Sequence, residues 1–187
     1  MYFLADPSWQ EAQHWEDVDA AGRALLTRLN GLLRILGSEN DPLRFGGVVL
    51  LKEAGGRDYY EKATGTMGMS GSAVEEHIGP EGEPVPPPPG PLGGWLRRAE
   101  GDSKLEEAVR LFATANDWFD LYKVYELARA GLGGQSSVDE LLTRPLRNRL
   151  TQTAQHHRHA DKPLPKAPLT FEEADRVVAQ LLVAWLA

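Results

Sequence analysis

Apolar residues recur with helical spacing near both ends of the chain and with a different period between them. Leu25, Leu26, Leu29, Leu32, Leu33 and Leu36 fall three and four apart, and Gly37 follows as a natural stop. Ser8 with Glu11 three residues later is a capping-box pattern for the start of this first helical region. Gly22 or the acidic run Glu16–Asp19 offers a place to divide it. From Leu43 to Lys52 the chain turns apolar and β-branched, Ala54-Gly55-Gly56-Arg57 is a turn signal, and Asp58 to Thr66 reads as a return strand. A third short strand is expected around Met67 to Val74, and the hairpin should pack on a helix, because two strands alone are marginal.

Helical periodicity returns after a proline-rich stretch. Gly79 to Pro91 holds four successive prolines, each without an N–H, so it reads as a stiff polyproline II connector; a ligand for an SH3- or WW-type groove is the functional alternative. Ser103 to Glu106 is a capping box, and Leu105, Ala108, Val109, Phe112, Ala115, Phe119 and Tyr122 trace one face toward Gly131. Ser137 to Glu140 opens another helix, with Pro145 placed for a restarted first turn. Thr170-Phe171-Glu172-Glu173 caps a last helix whose stripe runs Phe171, Ala174, Val177, Val178, Leu181, Leu182, Trp185. The expected fold is mainly α, an antiparallel helical bundle with a small β-hairpin insertion and a proline-rich loop. The divisions are 1–77 for the N-terminal helix and hairpin, 78–94 for the connector and 95–187 for the C-terminal bundle, with the two helical regions sharing a core.

Composition narrows the chemistry. With no cysteine, thiolate catalysis, disulfides and Cys-ligated zinc or iron–sulfur sites are excluded. No signal peptide and no apolar run long enough to span a bilayer is evident, so the expectation is a soluble, cytoplasmic protein without a membrane partner. The net charge is −7, yet Arg144 to Lys166 sets Arg144, Arg147, Arg149, Arg158, Lys162 and Lys166 against Asp161 alone, and holds His156, His157 and His159. A basic, histidine-dense segment on an acidic protein points to phosphate binding or proton transfer.

Within that segment, Arg149 precedes His156 with six residues between them, on a predicted helix. Here the chain from Leu105 to Ala187 resembles the HEPN superfamily, whose helical domains carry an R-x4-6-H motif. Leu150 follows Arg149 where that family favours a polar residue; the pair Arg147-Asn148 has the polar neighbour but stands further from His156. The resemblance implies a metal-independent ribonuclease or toxin of a prokaryotic defence system, assembled at a homodimer interface, without a cofactor. Arg149 would then bind the phosphate through two N–H groups, His156 would do acid–base work and Asn148 would orient either. Arg147, Arg158 and His159 are the flanking candidates for phosphate binding. Related domains without catalysis act as binding or dimerisation modules, so a helical interaction module and an RNA- or nucleotide-binding protein stand beside the enzyme.

The other patterns point to structure. His156, His157 and His159 lack a nearby set of acids to complete a metal site, so no metal is expected. Trp118, Phe119, Tyr122 and Tyr125 read as core or partner contacts, with Asp120 paired to Lys123 along the helix, or as one wall of a cleft shared with the basic segment. The glycine-rich runs Gly65–Ser72 and Gly131–Gly134 lack the order of a phosphate loop and read as turns.

Overall fold

Helical spacing and local caps set most of the architecture. The computed structural model describes residues 9, 12, 14–37, 42–45, 48–51, 57–60, 91–159 and 161–187. In chain order these form α1 (Trp15–Ile35), β1 (Val48–Leu51), β2 (Arg57–Tyr60), α2 (Pro91–Gly101), α3 (Ser103–Thr114), α4 (Trp118–Gly131), α5 (Gln135–Leu141), α6 (Arg144–Arg158) and α7 (Phe171–Leu186). The Ser8–Glu11 capping box, the third strand, the polyproline stretch through Gly90 and the first glycine-rich run lie outside the described residues. No described helix is long and apolar enough to cross a membrane.

The chain divides into two compact units, Met1–Leu26 with Arg44–Gly90 and Thr27–Leu43 with Pro91–Ala187. In the first, β1 and β2 pair antiparallel with Val48 opposite Tyr60, and Arg23 lies over the ring of Phe45 at 4.4 Å. The second unit is built of helices alone. This corrects the expected fold class: the bundle is all-helical, drawing on the seven helices of the described residues, and no β-hairpin is inserted into it. The physical reason is that the helical stripes cover one another. Leu32 and Ile35 of α1, Leu105, Val109 and Phe112 of α3, Leu121, Val124 and Tyr125 of α4, Leu150 of α6 and Val178, Leu181 and Leu182 of α7 join one buried cluster.

Helix α4 is the centre of this unit, packed against α3, α5, α6 and α7. The stripe from Leu105 to Tyr122 is not one helix. It breaks at Ala115–Asp117, and the carboxylate of Asp117 accepts from the backbone N–H groups of Phe119 and Asp120, both at 2.9 Å, to start α4. Asp102, not Ser103, caps α3. The reciprocal box of Thr170 and Glu173 opens α7 as its sequence indicates. Two close approaches depend on glycine. A Cβ at Gly31 would lie 2.4 Å from the Val109 carbonyl oxygen, and one at Gly131 would lie 2.1 Å from the Trp185 ring.

One side chain ties three helices together. Arg34, in the last turn of α1, donates to the carbonyls of Phe112 at 2.7 Å and Ala115 at 2.8 Å, where α3 ends. Its other terminal nitrogen pairs with Asp175 of α7, and its guanidinium lies over the Phe112 ring at 4.6 Å. A helix C-terminus carries partial negative charge and orphan carbonyls, so a cation there answers both.

Two predictions follow from this packing. Arg34→Ala should lower unfolding free energy by about 3 kcal/mol, since it strands Asp175 and the Ala115 carbonyl together and leaves Phe112 only its long bond from the Ala115 N–H, whereas distant surface arginines should cost little; urea denaturation measures it, and Arg34→Lys should recover only part. Tyr125 is fully buried and its hydroxyl meets no hydrogen-bond partner among the described residues. Burial pushes its pKa up, the nearby Arg129 opposing by less. The unfolded chain therefore loses this proton first, and stability falls as pH climbs past about 10. Tyr125→Phe should match or exceed wild type at neutral pH and show a shallower alkaline loss in thermal melts.

Candidate functional site

Helix α6 carries the candidate residues, and its inward face is fixed by Leu150, Thr153 and Ala154, all buried. Pro145 sits in its first turn, where a missing N–H costs nothing. Arg149 and His156 are seven positions apart, close to two full turns, so they share one face about 10 Å apart along the axis. Both reach the loop between α6 and α7. Arg149 donates through Nε to the Ala167 carbonyl at 2.8 Å and through Nη2 to the Pro168 carbonyl at 3.4 Å. The Nδ1 of His156 lies 2.6 Å from the Lys162 carbonyl oxygen. A carbonyl only accepts, so this Nδ1 bears the hydrogen. On the buried side, the Thr153 hydroxyl accepts from the Leu169 N–H at 3.1 Å.

The loop is thus strapped to α6 at three heights. Its sequence explains the need: Pro163, Pro165 and Pro168 have no N–H, so they cannot join a ladder that would satisfy the neighbouring carbonyls. Arg149 and His156 supply the donors. They end on separate carbonyls of this loop, with a groove of about 630 Å³ on the same stretch of helix and loop. Thr151, Gln152 and Gln155 line it from α6, and Lys162, Pro163, Leu164 and Pro165 from the loop. Lys162 and Lys166 make no ion pair among the described residues, and neither does Arg144.

The other expected site residues go elsewhere. Arg147 pairs with Asp139 of α5 and donates to the Asn148 side-chain oxygen at 3.0 Å, so both are turned to the start of the helix. Arg158 lies over the rings of Tyr122 at 4.4 Å and Phe119 at 5.1 Å, its Nε buried without a partner among the described residues. His159 is exposed at the end of α6. Among the described residues no group of three or more His, Asp or Glu side chains converges to hold a metal ion.

Residues given a core role in the sequence form a second feature at the same end of α6. Trp118 stacks on His157 with ring centres 4.9 Å apart and planes within 3° of parallel. Phe171 meets Trp118 edge-on at 5.8 Å, and His156 meets His157 edge-on at 5.2 Å. Gln155 donates to the Tyr122 hydroxyl at 3.3 Å. Lys123 pairs with Glu107 of α3 at 3.3 Å instead of with Asp120. The signal for this arrangement was the Asn116-Asp117 dipeptide: a cap there rotates the start of α4 away from the α3 stripe.

The strap makes a prediction of its own. Arg149→Ala, His156→Ala and Thr153→Val should each cost about 1–2 kcal/mol. Each should raise hydrogen exchange across residues 161–170 while leaving α7 beyond its first turn protected. In Thr153→Val the Leu169 amide should respond most.

Comparison with family models, curated proteins and solved structures finds no match to this chain.

Proposed function

We propose that the chain is a noncatalytic RNA-binding module, taking a single strand along the groove between α6 and the loop that follows it. The observation that carries this is the use of Arg149 and His156: each spends donors on loop carbonyls, and beside them a groove sets the hydroxyl, amide and ammonium groups of Thr151, Gln152, Gln155 and Lys162 against Pro163, Leu164 and Pro165. Cleavage of a phosphodiester needs acid–base and charge-stabilising groups at one phosphate. Binding needs only cations along a track with polar groups to meet backbone and bases. Lys162 in the groove and Lys166 further along the same loop supply the cations, and Gln152 supplies an amide that donates and accepts beside the Gln155 side-chain carbonyl oxygen. A cytoplasmic location goes with this reading, since single-stranded RNA is found there.

The HEPN-like ribonuclease is the second reading. Its support is the shared face of Arg149 and His156, and the Nε2 of His156, which the strap leaves unused. It further requires a two-fold pairing of chains that brings an Arg149 to the phosphate attacked beside a His156.

Fluorescence anisotropy with a labelled 12-nucleotide RNA separates the two. Binding should weaken steeply as salt rises, and Lys162→Glu with Lys166→Glu should flatten that salt slope by about 1 and cut affinity about tenfold or more. The RNA should be recovered intact on a denaturing gel. Strand scission that disappears in a folded His156→Ala protein, eluting as a dimer, would replace the binding module with the ribonuclease. No binding even at low salt would remove both.

A further inference from the structure

We infer that Phe119 and His157 form a stacking platform for unpaired nucleobases, so that the strand is held by its bases as well as its phosphates. This rests on the RNA-binding reading and sharpens its substrate class to single strands with accessible bases.

Phe119 is 60% exposed in the first turn of α4. Phenylalanine has no polar tip to keep in water, and at this exposure its ring offers a π face to a ligand. Its setting is cationic: the Arg158 guanidinium lies over it at 5.1 Å and spreads onto Tyr122 at 4.4 Å. His157 is also exposed. One of its faces is spent on Trp118, with the planes 3° from parallel, and Trp118 is braced edge-on by Phe171. His156 meets the same ring edge-on at 5.2 Å, so the stack on Trp118 ends at an exposed imidazole braced by its neighbour. The His157 ring is therefore held in a fixed plane before any ligand arrives, which cuts the ordering cost of binding.

The occupant is argued from charge. An apolar peptide would prefer a surface without cations. Arg158 stands over the Phe119 ring, and Lys162 belongs to the loop strapped to the neighbouring His156. Of the acids at these helix starts, Asp117 accepts from two N–H groups of α4 and Glu173 from the Thr170 N–H, while Asp120 and Glu172 share those first turns without capping, so the charge argument rests on the cation in direct contact with a ring, Arg158 over Phe119. A ligand offering planar π faces beside a repeating negative charge matches this surface, and single-stranded nucleic acid has that composition. A duplex does not, because its bases already stack on one another.

The test compares the full chain's affinity for labelled rA12, a 12-unit abasic strand with the same phosphates, a 12-base-pair RNA duplex and a poly-glutamate peptide. We expect rA12 to bind about tenfold or more above the abasic strand and the duplex. Phe119→Ala with His157→Ala should bring rA12 down to the abasic level, and Phe119→Trp should hold or raise it. Circular dichroism melts check that the variants fold, which an exposed ring and an exposed imidazole should allow. Equal affinity for rA12 and the abasic strand, unmoved by these variants, would overturn the platform and leave phosphate-driven RNA binding standing. Capture of the peptide with no RNA bound, or of no probe at all, would overturn the RNA reading beneath it.

Discussion

The C-terminus of α3 would be a poor thing to bury without Arg34. Of its last carbonyls, that of Phe112 receives only the long 3.4 Å bond from the Ala115 N–H, and together they carry the negative end of the helix dipole. Arg34 brings two N–H groups to the Phe112 and Ala115 carbonyls from α1 and keeps its charge matched through Asp175 of α7. Three helices distant in sequence meet at one guanidinium, and the contact works only if all three are in register. The close approach of α1 to α3 at Gly31 is part of the same joint, because a larger residue would push the two helices apart.

The same solution recurs at two other places. Arg98 of α2 donates to the Trp185 carbonyl at 3.0 Å, at the end of α7. Arg149 and His156 do so for the proline-rich loop. Much of the basic segment is accordingly committed. Arg147 is paired with Asp139, Arg149 is held on carbonyls and Arg158 lies over two rings. The charge count of the segment overstates what a ligand meets, and Lys162, Lys166 and Arg144 are the remaining lysines and arginines. This is why the groove loop weighs more in the functional argument than the helix that first drew attention.

What the sequence made legible follows from how local each cause is. Helix α7 could be read outright, because its cap and its stripe are both determined within about one turn of each residue. The start of α2 at Pro91 could not. Pro-Leu-Gly-Gly has the composition of a loop, and its helix is held by Leu92, Trp95 and Leu96 packing on a core assembled from distant segments. The α3–α4 break was hidden by apolar spacing that continued across it, although Asp117 carried the capping signal. For the candidate site, the shared face of Arg149 and His156 follows from their seven-residue separation. Their partners do not, since they are backbone carbonyls whose direction is set by how the loop returns to α7. The exposure of Phe119 was likewise beyond the pattern, which assigned it to the buried stripe.

His156 and His157 show how one helix end serves both features. Adjacent residues on a helix point about 100° apart. His156 is thereby aimed at the Lys162 carbonyl while His157 is aimed across α4 at Trp118. Their rings still touch edge to face, so the orientation of each limits the other. Releasing the loop would free His156 to rotate, and that rotation would remove one support of the stacked pair. The loop strap and the stacked rings are therefore coupled through one helix end, and loosening the strap should also loosen the Trp118–His157 stack, which the strap itself never touches.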